Sequence, residues 1–244
     1  MKKVAIVIPC YQESRSIKKN VETVKQYLKD INQYHFDIVL VNDGSKDNTL
    51  EIINSIKDIH VVTYPINQGK GHAVKEGLIY SLNNLKSDYL IFMDADLSTH
   101  LPAIDDSLKL LEQGNDMALA SRYDKESKMP IKQPLKRRFI SKCARMLIKM
   151  MFCFKDIKDT QCGFKAMNKD TVSLIVSKAK MERFSFDVEY MYIAKLNNKT
   201  YKSFPVVWND DNNSTVATFS SSVRAFKDLF KIKRNKKSYM EENK

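Results

Sequence analysis

The feature that most constrains the fold is the regular alternation of short apolar runs and amphipathic stretches in the first 123 residues. The apolar runs cover residues 4–8, 36–41, 60–64, 89–93 and 116–123 and are rich in β-branched side chains. Between them, apolar residues recur every three or four positions, which is the spacing of a half-buried helix. Strands that alternate with helices predict an α/β fold built on a doubly wound, largely parallel sheet.

The fourth apolar run ends in two carboxylates, Asp94 and Asp96. In open parallel sheets, ligands bind beyond the carboxyl ends of the strands. Residues two apart on an extended segment point to the same side, so both carboxylates can reach one cation. Their hard oxygens suit Mg²⁺ or Mn²⁺ shared with a substrate's phosphates. A solvated loop is the alternative for a pattern this short, and the position at a strand end favours the metal site.

The charge of the chain favours an anionic partner without identifying it. The net charge is +12, from 41 Lys and Arg against 29 Asp and Glu, and the excess is concentrated in residues 125–165 and 223–244. Such a surface attracts nucleic acid, anionic lipid or phosphorylated substrates. The sequence has no interleaved aromatic and basic strand motif of the RNA-binding kind, so no nucleic-acid partner is expected.

The length of 244 residues fits one large α/β domain or one and a half small ones. Four cysteines without Cys-x-x-Cys spacing or disulfide-framework density predict reduced thiols and a cytoplasmic setting. The first apolar run is too short for a signal peptide. The sequence contains no run of eighteen apolar residues, so no transmembrane helix is expected.

Two basic amphipathic segments follow residue 123, where the alternation ends. Residues 124–138 are polar and contain two prolines, which predicts a loop. Residues 139–154 carry Lys142, Arg145 and Lys149 at helical spacing on an otherwise apolar helix, and residues 223–234 form a similar pattern. Both segments fit helices that lie in a membrane interface. A core helix at a domain or dimer contact fits residues 139–154 equally well.

Several short motifs resemble those of the family 2 glycosyltransferases, which have the GT-A fold. Residues 8–13 are similar to the family's segment after its first strand, residues 42–45 to its Asp-Asp-Gly-Ser turn, and residues 94–96 to its metal-binding Asp-x-Asp. The glycine turn 67–73 lies between them at the expected place. Residues 121–123, 159–165 and 184–189 resemble the branch that makes polyprenyl-phosphate sugars, the dolichyl-phosphate β-glucosyltransferases above all. The resemblance spans residues 3–216.

The resemblance implies a site for a nucleotide-sugar donor. The residues that it assigns to this site are Pro9, Tyr11, Glu13, Asn42, Asp43, Lys70 and Asp94. A divalent ion on Asp94 and Asp96 would stabilise the charge that grows on the leaving diphosphate. The alternatives are a solvated turn lysine for Lys70 and a carboxylate favoured by a helix dipole for Glu13.

The acceptor implied by this branch is a lipid phosphate, which is ionised at neutral pH and needs cations rather than a strong base. The residues assigned to it are Arg122, Arg137, Arg138, Gln161 and Lys165. Arg122 is the first candidate, because guanidinium groups bind phosphate in a bidentate manner. Gln161, Cys162 and Lys165 are expected on an acceptor-side loop. Asp187 would bind sugar hydroxyls or act as a base, and a helix-start carboxylate pair with Glu189 is its alternative.

Three departures from the family pattern bear on the activity. Asn42 stands where the family has the first aspartate of its turn, so a neutral amide would contact the base or ribose. Asn213 and Thr215 stand where a family loop has glycine and lysine, which weakens the expectation that this loop closes over the donor phosphates. The segment after Asp96 lacks the glutamine common in the mannosyl branch, which favours a glucosyl enzyme.

We therefore expect one GT-A domain over residues 1–217, with a nucleotide-sugar half at 1–123 and an acceptor-side half at 124–217, followed by a basic amphipathic segment at 218–244. The expected activity is metal-dependent, inverting transfer of a hexose, glucose first, from a UDP-sugar to a polyprenyl phosphate. The protein would work peripherally at the cytoplasmic membrane face. A hydroxyl acceptor with Asp187 as base is one alternative, and a non-catalytic nucleotide- or nucleic-acid-binding protein is another.

Overall fold

The computed structural model describes residues 1–130, 135–209 and 219–240, and among these the side chains of residues 135–137 and 219–223 are outside the description. One sheet of seven strands runs through both halves of the chain in the order β3-β2-β1-β4-β6-β5-β7. Its strands are β1 (Lys2–Cys10), β2 (Tyr34–Asp43), β3 (His60–Tyr64), β4 (Tyr89–Met93), β5 (Met117–Ser121), β6 (Phe164–Asn168) and β7 (Tyr201–Pro205).

The sheet is parallel except for one strand. β1 pairs in parallel with β2 and β4, β2 with β3, and β5 with β7, whereas β6 runs antiparallel between β4 and β5. The largely parallel sheet and all five strands of the first half are therefore confirmed. The loop expected at residues 161–165 is wrong at its end, because Phe164 and Lys165 belong to β6. Because Lys165 is charged, this segment does not have the apolar run that predicts a buried strand.

The helices cover both faces of the sheet. They are α1 (Ile17–Leu28), α2 (Thr49–Asn54), α3 (Lys70–Tyr80), α4 (Ala103–Glu112), α5 (Leu135–Phe152), α6 (Lys169–Lys178), α7 (Phe186–Leu196), α8 (Phe219–Arg234) and α9 (Lys236–Tyr239). A π-helical turn, Ser81–Leu85, extends α3. Along β1, Val4, Ile6 and Ile8 pack into one core with α1 and α4, while Ala5 and Val7 pack into the other with α3 and α7. This alternation is what makes the fold doubly wound.

Helix α5 begins within the segment that the sequence predicts as a loop. The expected loop 124–138 is wrong from Leu135 onward, and residues 131–134 lie outside the described part of the chain. In the sequence, Pro134 directly precedes the helix, and proline is common at helix starts because its missing N–H would have no partner there. In a sequence, a proline before an amphipathic stretch can therefore indicate a helix start as well as a loop.

Helices α5 and α8 each bury one side and expose another. Ile148 and Phe152 of α5 and Leu229 and Ile232 of α8 belong to the core. A second apolar side on each helix is exposed, consisting of Phe139, Ile140, Met146 and Met150 on α5 and Phe226 and Phe230 on α8. We call these six side chains the α5–α8 apolar surface. Within the described ranges, no helix is both long and apolar enough to cross a membrane.

Candidate active site

The site is built around the carboxyl end of β4, where Asp94 meets Gly163. The backbone N–H of Asp94 donates to the Gly163 carbonyl oxygen at 3.1 Å, because the antiparallel neighbour β6 begins at the next residue. A Cβ atom added to Gly163 would lie 1.8 Å from Asp94 Oδ2. The carboxylate therefore rests directly on the glycine backbone. A role for Gly163 was not predictable from the sequence, because its partner Asp94 is 69 positions away.

Alanine at position 163 is expected to displace the Asp94 carboxylate. We predict that Gly163→Ala weakens metal-dependent binding of UDP by about tenfold or more and costs about 1–3 kcal/mol of stability, as overpacking does. Titration calorimetry with Mn²⁺ and UDP, together with thermal unfolding, measures both effects. Gly114→Ala is the control, since it places alanine at φ +91° with nothing within 4 Å and so strains the backbone away from the site. If Gly163→Ala and Gly114→Ala bind UDP equally well, Gly163 does not position the Asp94 carboxylate for binding.

Asp96 is held in a tight turn beside Asp94. Its Oδ1 accepts the Ser98 backbone N–H at 2.8 Å, and Leu97 between them has a left-handed φ of 54°. Burial, and then the charge of Asp94, raise the pKa of Asp96 above its ordinary value. A partly buried carboxylate whose charge is disfavoured, beside a second carboxylate, is a fitting place for a divalent cation.

The donor set suits a cation that is shared with a substrate. In residues 1–130, 135–209 and 219–240 there is no group of three or more His, Cys, Asp or Glu placed to hold a metal by itself. A cation on Asp94 and Asp96 would therefore take two hard oxygens from these side chains and its other ligands from water and phosphate. Mg²⁺ is commonly bound in this way, through one or two carboxylates plus substrate phosphates.

Lys70 reaches the same carboxylate from the glycine turn. It is the first residue of α3, and its Nζ donates to Asp94 Oδ1. Burial lowers the pKa of Lys70, but the carboxylates of Asp94, Asp187 and Asp96 outweigh burial and raise it overall. The sequence assigned Lys70 to the donor diphosphate, and the structure places its ammonium on the Asp-x-Asp motif instead. A contact with the diphosphate stays a prediction.

A second ion pair, between Lys165 and Asp187, is buried. Lys165 donates from Nζ to Asp187 Oδ1 at 2.5 Å and to the Cys162 carbonyl oxygen at 2.9 Å. Burial raises the pKa of the Asp187 carboxyl. Asp187 lies in the first turn of α7, as does Glu189, which accepts the backbone N–H groups of Lys180 and Met181. The structure thus brings Asp187 into the charged cluster, while Glu189 stabilises the entry to α7.

Asp43 fixes the glycine turn that presents Lys70. Its carboxylate accepts hydrogen bonds from the Asn67 side chain at 2.8 Å and from the backbone N–H groups of Gln68 and Gly69 at 2.8 and 2.9 Å. The neighbouring Asn42 donates to Thr63 Oγ1 at 3.0 Å and accepts the Ser45 N–H at 3.3 Å. Both side chains lie at the end of β2 as expected, and their observed partners belong to the protein.

The remaining donor-side candidates line the end of β1. Pro9 is half-buried in the strand, and Tyr11 beyond it is 41% exposed. Glu13 accepts a hydrogen bond from Ser16 Oγ at 3.0 Å, and its N–H donates to Thr49 Oγ1 at 2.8 Å. An exposed tyrosine beside a strand end can stack on a base. The contacts of these three residues with a nucleotide stay predictions.

Arg122 is engaged by a carboxylate. Its Nε and Nη2 donate to Asp159 at 2.7 and 3.0 Å, and its guanidinium lies 5.2 Å from the Trp208 ring centre. Burial opposes the charge of Asp159, but Arg122 overcomes this and lowers the pKa of that carboxyl. The sequence offered no sign of this pair, because its members are 37 positions apart.

The other acceptor-side candidates with described side chains have partners within the protein or are exposed. Gln161 has an exposed side chain and donates its N–H to Asp159 Oδ1 at 3.1 Å. Arg138 is exposed on α5, whereas the side chain of Arg137 lies outside the described residues, as do Asn213 and Thr215. Lys165 pairs with Asp187. Among the described side chains, Arg122 and Gln161 meet through Asp159.

Comparison with known proteins identifies the class of enzyme. The chain is 28% identical to the dolichyl-phosphate β-glucosyltransferase of Dictyostelium discoideum over 247 residues, which is 94% of this chain and 73% of that protein. It is also 28% identical to the human dolichyl-phosphate β-glucosyltransferase over 248 residues, which is 95% of this chain and 75% of that protein.

A solved structure shares the fold at low sequence identity. Glucosyl-3-phosphoglycerate synthase from Mycobacterium tuberculosis, in complex with Mn²⁺, UDP and phosphoglyceric acid, superposes with a TM-score of 0.71 and 12% identity over 99% of this chain and 80% of that chain. This likeness confirms the predicted GT-A fold. The model of the glycosyl transferase family 2 matches residues 5–174. The chain therefore belongs to glycosyltransferase family 2 and is a glycosyltransferase.

Proposed function

We propose that this glycosyltransferase moves a hexose, glucose first, from a UDP-sugar to a polyprenyl phosphate with inversion at the sugar. Mg²⁺ or Mn²⁺ would be held by Asp94 and Asp96. The observation that carries the proposal is the charged cluster at the end of β4, in which Lys70 and the two carboxylates converge where a diphosphate would lie. Relatives named for glucosyl transfer to dolichyl phosphate support the acceptor, and the Mn²⁺ and UDP in the M. tuberculosis enzyme support the donor.

Different residues of the chain would have different roles at the donor. Asp43 holds the glycine turn, and the turn holds the ammonium of Lys70 where negative charge develops on the leaving diphosphate. When bound, the divalent ion would supply Lewis-acid stabilisation of that leaving group. Lys165 holds one carboxylate oxygen of Asp187, so Asp187 suits a role in orienting the sugar. A phosphate acceptor fits that role, because it is already ionised and needs no base.

The acceptor phosphate would be bound between the end of β5 and α5. Arg122 contributes positive charge, although Asp159 already holds its Nε and Nη2. Arg145 is the added candidate, because its guanidinium lies 3.2 Å from the Tyr123 ring centre and its buried Nη1 has no hydrogen-bond partner among the described residues. A buried N–H without a partner is costly, and a phosphate oxygen would satisfy it. Arg138 lies on the same helix and is exposed to solvent.

The α5–α8 apolar surface would hold the enzyme at the cytoplasmic face of the membrane. Its exposed aromatic and methionine side chains alternate with exposed lysines, among them Lys142, Lys149, Lys227 and Lys231. Helices with an apolar side and a basic side lie in the plane of the lipid headgroups, where anionic lipids balance the charge. A polyprenyl phosphate has its phosphate at the same depth.

Phe226→Ser together with Phe230→Ser is expected to weaken binding to vesicles that contain anionic lipid by at least about tenfold. The reason is that each buried phenylalanine contributes about 1.5–3 kcal/mol at full burial. Sedimentation with vesicles of phosphatidylglycerol and phosphatidylcholine measures this loss. Ile66→Ser is the matched control, because Ile66 is 72% exposed outside α5 and α8. If both variants bind vesicles equally, this surface is not the membrane contact.

The activity itself is tested by transfer of label from UDP-glucose, UDP-galactose and GDP-mannose into undecaprenyl phosphate in detergent. The expected result is an organic-extractable product from UDP-glucose that requires Mg²⁺ or Mn²⁺ and disappears with EDTA. Labelling from GDP-mannose alone would refute the UDP-glucose donor. Labelling that persists in EDTA would refute the metal.

A further inference from the structure

We propose that Lys70 is a resident counter-ion that occupies the cation's place on Asp94 and passes to the donor diphosphate when metal and nucleotide bind together. Metal and nucleotide would then bind strongly only as a pair. The inference rests on the proposed function, in that it takes the donor to be a sugar nucleotide with a diphosphate.

The ion pair between Lys70 and Asp94 occupies one of the two oxygens that a cation would use. Lys70 Nζ donates to Asp94 Oδ1, and Asp94 Oδ2 faces Gly163, where a Cβ would lie 1.8 Å away. The carboxylate therefore has little room to turn away from the ammonium. A divalent ion that approaches Asp94 has to displace Lys70 from Oδ1.

Displacement has to come from the side chain of Lys70, since the start of α3 is fixed. A Cβ on Gly69 or on Gly71 would lie 2.7 Å from a backbone carbonyl oxygen of the segment before α7, so both glycines are in close contact with it. The N–H of His72 donates to the Glu182 carbonyl oxygen at 2.9 Å. The side chain of Lys70 can change its rotamer, whereas close packing holds the backbone of the turn in place.

The displaced ammonium needs a new anionic partner, and the carboxylates near it would already be occupied. The carboxylates that act on Lys70 are Asp94, Asp187 and Asp96. Asp187 is already paired with Lys165, and the metal would take the other two. The oxygens of a diphosphate are the remaining counter-charge within the same cluster. Lys70 would therefore move from carboxylate to phosphate as the donor enters.

Charge balance gives the same result. Three carboxylates and two ammonium groups leave the cluster with one negative charge. A divalent cation alone would give the cluster one positive charge. The cation would then be repelled by the ammonium groups of Lys70 and Lys165. The same cation with a sugar diphosphate, which carries two negative charges, restores the original balance. Like charges this close in a partly buried site disfavour each other strongly, so the pair binds where the metal alone does not.

Binding of Mn²⁺ to the full chain, followed by the electron paramagnetic resonance signal of free Mn²⁺, tests this without any turnover. Lys70→Met is expected to bind Mn²⁺ alone about tenfold more tightly than the unaltered protein, because removing one neighbouring charge shifts such equilibria by about one to three powers of ten. The gain in Mn²⁺ affinity that UDP produces is expected to shrink by at least about tenfold. Lys70→Arg keeps the charge and is expected to keep the gain.

Lys109→Met is the control, because it removes the same charge from an exposed position on α4, where Lys109 pairs with Asp106. If Lys70→Met binds Mn²⁺ alone no better than the unaltered protein, while UDP still promotes Mn²⁺ binding in the unaltered protein, this inference is overturned and the proposed function stands. If the unaltered protein binds no Mn²⁺ even with UDP, the proposed metal site falls and the inference falls with it.

Discussion

Replacing Asp96 with asparagine is expected to lower kcat/KM for sugar transfer by at least about a thousandfold, since metal stabilisation of a leaving group contributes several kcal/mol and each 1.4 kcal/mol is a factor of ten. Asparagine has the same shape, and its Oδ1 can still accept the Ser98 N–H. The fold should therefore survive. Because burial and Asp94 raise the pKa of Asp96, the charged form is disfavoured in the folded state, and the neutral amide should leave stability unchanged or higher.

The measurement is the rate of transfer from UDP-glucose at saturating Mg²⁺, with thermal unfolding of the same samples. Asp106→Asn, on the exposed side of α4, is the matched control and should retain full activity. A rate for Asp96→Asn within threefold of the unaltered enzyme would remove Asp96 from the metal site. A large loss of both rate and stability would assign it a structural role instead.

Replacing Lys165 with methionine is expected to reduce the free energy of unfolding by about 3–5 kcal/mol, which is the usual cost of removing one partner of a buried ion pair. Methionine fills most of the volume, but it leaves the buried Asp187 without its cation. The Cys162 carbonyl oxygen also loses its donor. Urea unfolding at neutral pH measures the change.

A double variant separates stability from function at this pair. Lys165→Met with Asp187→Leu removes both charges and is expected to recover most of the lost stability, since apolar replacements of buried pairs are often neutral or better. Activity should stay low, because Asp187 also faces Lys70. If Lys165→Met costs less than about 1 kcal/mol, the ion pair does not hold this part of the fold. If the double variant is fully active, Asp187 has no part in the reaction.

The first half of the fold and the central carboxylates could be predicted from the sequence because local patterns determine them. A buried strand that ends in Asp94 and Asp96 is visible as an apolar run followed by charges, and a parallel sheet fixes where such ends meet. The turn at Asn42 and Asp43 is predictable in the same way. In each case the signal lies within about ten residues, which is the range of a strand or a turn.

The rest could not be predicted because it depends on partners far away in the chain. The strand β6 carries a lysine at its second position, and the contacts of Lys165 with Asp187 and with the Cys162 carbonyl oxygen make its burial possible. Arg122 suggests a phosphate ligand until Asp159 is found against it. Lys70 suggests a solvated or phosphate-binding lysine until Asp94 is found within reach. Charged side chains are ambiguous in a sequence because their partners decide their roles.

The most direct test of the proposed reaction is a comparison of two acceptors that differ in one group. Purified enzyme would be given UDP-glucose and Mg²⁺ with either a polyprenyl phosphate or the polyprenol of the same chain length. We predict glucose on the phosphate alone, in a product that mild acid cleaves as it does a glycosyl phosphate. Transfer to the free alcohol at a similar rate would contradict the account, because it would require a base and make the cationic acceptor site unnecessary.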